Sequence, residues 1–273
     1  MWAALALTTL TTLAPAQGGK LSIKNDRLTH GVLGATRTDE KILPGDIAVL
    51  SFDIHGLTPG KDGKVLYSAG FKLAEKAGGK ALMTQDPEPK EAVNSLGGDV
   101  VPAVTFVTFG LDTKPGTYVV TVTIQDDKGK AKTTLTREIE VLPAKFGFVR
   151  ARFMAPTDER SPLPTPPVAV PGQAIHLRYS LAGFRKDPKV AGKVVSNVSV
   201  EIEVQDEKGN PTVAASKAPT ISTEFKEGEA LMDFYPVPLQ LNRPGKYKIV
   251  MKATDNVSKA TAERTLDLEV LKN

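Results

Sequence analysis

The stretch Pro44-Gly45-Asp46-Ile47-Ala48-Val49-Leu50-Ser51-Phe52-Asp53-Ile54-His55-Gly56-Leu57 is written a second time, in altered letters, 127 residues further on. There it reads Pro171-Gly172-Gln173-Ala174-Ile175-His176-Leu177-Arg178-Tyr179-Ser180-Leu181-Ala182-Gly183-Phe184. Both versions open on Pro-Gly and then alternate. Leu50, Phe52 and Ile54 stand against Ser51, Asp53 and His55, and Leu177, Tyr179 and Leu181 repeat the device. A period of two places one face of a ribbon on a core and the other in water, so each stretch reads as a half-buried β-strand. The Pro-Gly pairs suit type II turns, proline setting φ at the second position and glycine tolerating a positive φ at the third.

Working outward, Pro115-Gly116-Thr117-Tyr118-Val119-Val120 matches Pro244-Gly245-Lys246-Tyr247-Lys248-Ile249, and Glu140-Val141-Leu142 matches Glu269-Val270-Leu271, both 129 residues apart. Three anchors in one order at nearly constant spacing read as an internal duplication of about 125 residues. Tyr118, Val120, Val122 and Ile124 alternate through one further strand, and Tyr247, Ile249 and Met251 through its counterpart. Asp126-Asp127-Lys128-Gly129 and Asp206-Glu207-Lys208-Gly209 are polar hairpin tips, with Lys76-Ala77-Gly78-Gly79 in the first-copy position of the latter.

The expected fold class is all-β: two tandem antiparallel β-sandwich domains over residues 20–143 and 146–273, related by duplication. The connection Leu142-Pro143-Ala144-Lys145 is short enough to restrict their relative motion. One segment reads as helical, Pro87 to Leu96, between a capping Asp86 and the stop Gly97-Gly98. It lies on a crossover, Asp86 to Val104, where the second copy has Ile221 to Gly228 without such a signal. The proline-rich run Ala155 to Gly172 is expected to be an extended edge segment, because proline cannot donate to a central ladder.

Pro-Gly-x-Tyr before alternating Val and Ile, an Asp-led tip, a Thr-rich return and Glu-Val-Leu resembles the last hairpin of bacterial immunoglobulin-like and fibronectin-III-like domains of exported proteins. The resemblance covers both copies. It implies a spacer, an adhesion module or a presentation scaffold, and names no activity. The chain departs from antibody domains in lacking a cysteine pair and a core tryptophan, and each copy exceeds the usual ~100 residues.

Composition narrows the chemistry. The chain has 273 residues, 41 % apolar and 24 % charged, with no cysteine. That excludes a disulfide scaffold, thiol catalysis and cysteine-ligated zinc. A net charge of +4 is too slight to argue for nucleic acid, and the basic excess falls in the second copy. There, Arg185, Lys186, Lys189 and Lys193 share one loop. None of His30, His55 and His176 is followed at metal-ligand spacing by another ligand, and strand phase is read as placing His55 and His176 on opposite faces. No Gly-x-Ser-x-Gly elbow and no phosphate loop occurs. Asp126-Asp127, Asp206-Glu207 and Asp255-Asn256 leave two readings open, calcium ligation or turn chemistry. No residue is put forward as catalytic, cofactor-binding or metal-ligating.

Residues 1–16 read as a signal peptide. Trp2 to Leu13 has the length of its apolar core and Ala14-Pro15-Ala16 supplies a small-x-small cleavage pattern before Gln17. No positive charge precedes the apolar run, which leaves open a true start upstream of Met1. The run is too short for a membrane span, which needs roughly 20 residues. The expected product is a periplasmic, cell-surface or secreted module without enzymatic activity, structural or protein-interacting, whose partner is a protein or envelope component. A carbohydrate-binding, lectin-like module and a small sandwich-fold hydrolase are the rival expectations.

Overall fold

The computed structural model describes residues 20–38, 40–156, 163–186, 194–213, 220–225, 231–234 and 236–272. Residues 1–16, with the expected signal peptide, lie outside them, as do Lys189 and Lys193 of the basic loop. The all-β expectation holds: the described residues form strands and turns, with no helix.

In the first half these are β1 (Ser22–Thr29), β2 (Lys41–Ile42), β3 (Ile47–His55), β4 (Lys64–Glu75), β5 (Ala81–Val93), β6 (Val100–Thr108), β7 (Gly116–Asp126) and β8 (Lys132–Val141). In the second they are β9 (Gly147–Met154), β10 (Val168–Ala169), β11 (Ala174–Ala182), β12 (Val194–Gln205), β13 (Thr220–Phe225), β14 (Leu231–Asp233), β15 (Val237–Gln240), β16 (Gly245–Asp255) and β17 (Thr261–Val270).

A sheet ordered β1-β3-β6 faces one ordered β2-β8-β7-β4-β5, and in the second half β9-β11 with β14 and β15 faces β10-β17-β16-β12-β13. The order is the same in both halves. Neighbours run antiparallel except β2 with β8 and β10 with β17, where a two-residue strand joins the sheet edge in parallel. The alternating residues that decided the reading fill two cores. Leu50, Phe52 and Ile54 meet Val120, Val122, Ile124 and Ile139. Leu177, Tyr179 and Leu181 meet Ile249, Met251, Leu266 and Leu268. Each such side chain stabilises its sandwich by about 1.5–3 kcal/mol relative to exposure.

The likeness of the halves extends to an irregularity. β1 slips register against β3 between Lys24 and Arg27, and β9 slips against β11 at the matching place. Each bulge holds a non-glycine residue in the left-handed region, Asn25 at φ +53° and Arg150 at φ +57°. The arginine two residues on then donates back to it, Arg27 Nη1 to the Asn25 carbonyl at 2.7 Å and Arg152 Nη1 to the Arg150 carbonyl at 3.1 Å. Such bulges twist and re-aim a strand. The tyrosines of the two Pro-Gly-x-Tyr motifs also act alike: Tyr118 donates to the Lys114 carbonyl at 2.8 Å and Tyr247 to the Arg243 carbonyl at 3.0 Å. This reach back across a corner is a tyrosine corner in each half.

The helix expected over Pro87–Leu96 is replaced by the thirteen-residue strand β5, paired along β4. β5 is a sheet edge, so its prolines remove only outward donors. Gly70 of β4 supplies the room for one of them, since a Cβ there would lie 3.0 Å from the Pro87 ring. Gly97 and Gly98, read as a helix stop, take φ +75° and +90° and turn the chain from β5 into β6. The second half places the shorter β13 against β12 in the same position, so the halves differ there in length and not in kind. The Pro-Gly reading holds at Gly45 and Gly172, at φ +92° and +90° inside i→i+3 turns. Gly116 and Gly245 instead open strands β7 and β16.

Candidate interaction surface

Between the halves lies a packed joint. Leu43 and Leu142 at the end of the first half meet Val149, Ala182 and Leu231 of the second. Across them runs a polar hub on Asp46, the residue after the Pro44-Gly45 turn, which is 3 % exposed. Its Oδ2 accepts both Arg37 Nη1 and Nη2 at 3.1 Å, and its Oδ1 accepts the Ile47 N–H at 2.8 Å and the Arg150 N–H at 2.6 Å. Arg150 Nε also donates to the Gly45 carbonyl at 3.0 Å. The left-handed bulge of β9 therefore turns the Arg150 amide toward the neighbouring half. In the first half the same bulge faces no partner module, and the Asn25 side chain bonds Asp53 within its own sheet.

His30 is buried beside this joint. Burial, then the positive charges of Arg37 and Arg264, push it down to about 3, so its imidazole is neutral at physiological pH. His55 and His176 both hold the outward phase of their strands, next to the core residues Ile54 and Ile175. The opposite-face expectation fails because both positions are one step from inward residues of matching strands. The three histidines converge on no shared centre, and among the described residues no group of three or more His, Asp or Glu side chains gathers.

The Asp tips resolve toward turn chemistry. Asp126 accepts the Thr58 N–H at 3.1 Å and hydroxyl at 2.6 Å, with the Lys128 N–H at 3.1 Å on its other oxygen. Asp255, 129 residues on, accepts the Arg185 N–H at 2.8 Å, the Val257 N–H at 3.0 Å and the Ser258 hydroxyl at 2.5 Å. Burial pushes both carboxyls up, and these hydrogen bonds outweigh it, leaving each below the ordinary carboxylate value. Their oxygens are engaged by donors that a cation would have to displace. Asp206 is held the same way by the N–H groups of Lys208 and Asn210 at 2.9 Å.

The crossover Asp86–Val104 joins two edge strands of the first half, β5 of one sheet and β6 of the other. Between β5 and β6 opens a groove of roughly 790 Å³ in which Met83, Val104 and Phe106 are exposed beside the half-buried Phe71, alongside Arg27 and Lys90. Phe106 is 63 % and Val104 42 % exposed. Apolar groups that fail to find a core and line a sheet edge are the feature that marks a contact surface. The sequence marked this crossover as a break in the likeness of the halves, and gave no direct sign of the joint. What signal there was lay in a difference between matching positions of the two halves, Asp46 against Gln173, which in the second half merely accepts the Val170 N–H of its own turn at 3.3 Å.

The sequence matches no protein-family model and no curated protein. Among solved structures it is similar to the C-terminal domain of the Streptococcus agalactiae AgI/II polypeptide BspA, at 8 % identity and a TM-score of 0.29, over 90 % of this chain and 99 % of that one. A likeness at that score adds nothing to the fold, which rests on the strand pairing itself. No helix among the described residues is long and apolar enough to cross a membrane.

Proposed function

We propose that this chain is an exported, non-enzymatic module of the cell envelope whose two immunoglobulin-like sandwiches, residues 20–143 and 146–273, arose by duplication. Its role is to hold an interaction surface in a fixed orientation. Residues 1–16 direct export and are removed before Gln17. The shared strand order, the paired bulges and the two tyrosine corners support the kinship of the halves. The observation that carries the role is the joint. A buried Arg37–Asp46 pair whose second carboxylate oxygen receives the neighbouring half's main chain is a specific lock, and a flexible tether has no use for one. What the lock orients is the open side of the first half, where the β5 and β6 edges flank an apolar groove. An exposed apolar groove rimmed by polar and charged side chains marks a contact site for another polypeptide, which favours a protein partner.

Affinity capture from envelope fractions tests this, using the exported chain and a variant with residues 94–99 replaced by a Gly-Ser turn of equal length. A partner retained by the first and lost by the second supports the reading. Partners unchanged by the replacement place the contact elsewhere, and reproducible binding on a glycan array by the intact chain contradicts a protein-facing role. N-terminal mass spectrometry of the exported product is expected to begin at residue 17.

A further inference from the structure

Among the described residues, strand β6 bonds to β3 on one side only. The Phe109 N–H donates to the Asp46 carbonyl at 3.0 Å, one step beyond the register that sets Thr108 opposite Ile47. Bonded residues alternate along an antiparallel ladder, so Val107, Thr105, Ala103 and Val101 face β3. Thr108, Phe106 and Val104 then turn their N–H and C=O groups outward. Pro102, which has no N–H to offer, falls in the outward set, as it must.

Several other edges among the described residues are guarded. β1 carries Lys24, Asp26 and Arg27, and β9 carries Arg150 and Arg152. β5 carries Pro87, Pro89, Glu88, Lys90 and Glu91, and the second-half counterpart of β6 is split into β14 and β15 around Pro236. Charges and prolines of this kind prevent edge-to-edge pairing. β6, Val-Val-Pro-Ala-Val-Thr-Phe-Val-Thr, has no charged residue, and beyond Pro102 nothing interrupts it.

We propose that β6 pairs antiparallel with β6 of a second copy of this chain, about a two-fold axis through Phe106. That register sets Val104 against Thr108 of the second copy and Phe106 against Phe106, so all outward amides from 104 to 108 are matched. Pro102 then lies opposite residue 110, past the end of the strand, and its missing donor costs nothing. Axes through Val104 or Thr105 would set Pro102 against Phe106 or Thr108 and lose that bond, and axes through Val107 or Thr108 would leave Val104 without a partner inside the strand. The proline thus selects the register. Self-pairing of a charged edge would set like charges together, and an uncharged one carries no such penalty. The two three-stranded sheets become one of six strands, and the exposed Val104 and Phe106 side chains of both copies merge into a stripe on a single face. This inference is independent of the envelope partner's identity.

The chain's lack of cysteine makes the test direct. Sedimentation equilibrium of the purified exported chain, from 1 to several hundred micromolar, is expected to show a monomer–dimer equilibrium. Phe106→Lys, which opposes two cations, should weaken it at least tenfold, and Val104→Pro should weaken it likewise by removing an outward donor; circular dichroism verifies that each variant keeps its fold. Under mild oxidation, Phe106→Cys should cross-link faster than Val104→Cys or Thr108→Cys, since bonded partners sit about 5.5 Å apart at Cα, within disulfide reach. Glu88→Cys on β5 should not cross-link. A chain that stays monomeric at the highest concentration overturns the inference. So does a dimer indifferent to Phe106→Lys, or a cross-linking series in which Val104→Cys or Thr108→Cys links before Phe106→Cys.

Discussion

Replacing Asp46 by Ala removes an acceptor for Arg37 and for the Arg150 amide at once. The Arg37 and Asp46 side chains are 2 % and 4 % exposed, so neither screening nor entering water softens the loss. The guanidinium keeps only its bond to the Lys41 carbonyl at 3.2 Å. Breaking a buried ion pair by deleting one partner costs about 3–5 kcal/mol, because the remaining charge stays buried and uncompensated. The Arg150 N–H adds an unsatisfied donor, worth about 1–3 kcal/mol where water cannot reach it. Against a total stability of about 5–15 kcal/mol for a typical native protein, Asp46→Ala should lower the urea midpoint severely. Its direct contrast is the double variant Arg37→Met/Asp46→Leu, which removes both charges and fills the space. It should recover most of the loss, since hydrophobic replacements of buried pairs are often neutral or better. Urea titrations followed by circular dichroism measure both. If Asp46→Ala costs less than about 1 kcal/mol, or the double variant is as damaged as the single, the hub does not hold the joint and the orientation argument fails.

Tyr118→Phe and Tyr247→Phe each delete one corner hydrogen bond and should each cost about 1 kcal/mol, adding independently in the double variant because they lie in different halves. His30 is neutral when folded until about pH 3 and protonates near 6.5 when unfolded, so over that window the unfolded chain binds the extra proton. Stability should therefore fall as pH drops from 6.5 to 3, by at most about 1.4 kcal/mol per pH unit from this group, and His30→Gln should flatten that limb in denaturation curves taken at successive pH values. Asp126 and Asp255 contribute the opposite ionisation with the same direction: their stabilisation is present above the unfolded carboxylate value and is lost as pH falls through their lowered folded ones, so Asn at either position should flatten the profile below about pH 4. Gly183→Ala should destabilise by well over about 1 kcal/mol, since at φ +68° its Cβ would collide with the Lys145 carbonyl oxygen; Gly172→Ala, at φ +90° with open space around it, should cost only the left-handed penalty of about 1–2 kcal/mol.

Much of this architecture is legible in the sequence because alternation has a cause that acts locally. Leu50-Phe52-Ile54 and Leu177-Tyr179-Leu181 are each fixed by a core on one side and water on the other, and no distant residue is needed to read them. The hairpin tips at Asp126 and Asp206 are legible for the same reason. β5 is not. Its burial pattern is exposed almost throughout, so it carries no periodic signal, and Pro87 and Pro89 read as breakers unless the strand is known to be an edge. The joint is hidden differently. Asp46 after a Pro-Gly turn looks like ordinary turn chemistry, and its partners Arg37 and Arg150 are set opposite it only by the docking of two separate sandwiches. The bulges at Asn25 and Arg150 are invisible to pattern reading, since a one-residue slip leaves the composition of a strand unchanged. The open edge at β6 lies between these cases: its uncharged run is plain in the sequence, but only the topology shows that no described strand pairs with its outer side.

Presenting the open edge of the first sandwich at a fixed angle requires the two sandwiches to be held as one body. ¹⁵N relaxation across the full chain measures this directly. It should return a single rotational diffusion tensor for the amides of β1–β8 and β9–β17, preserved in the wild type and lost in Asp46→Ala. Two tensors in the wild type, with each half tumbling on its own, would contradict the claim.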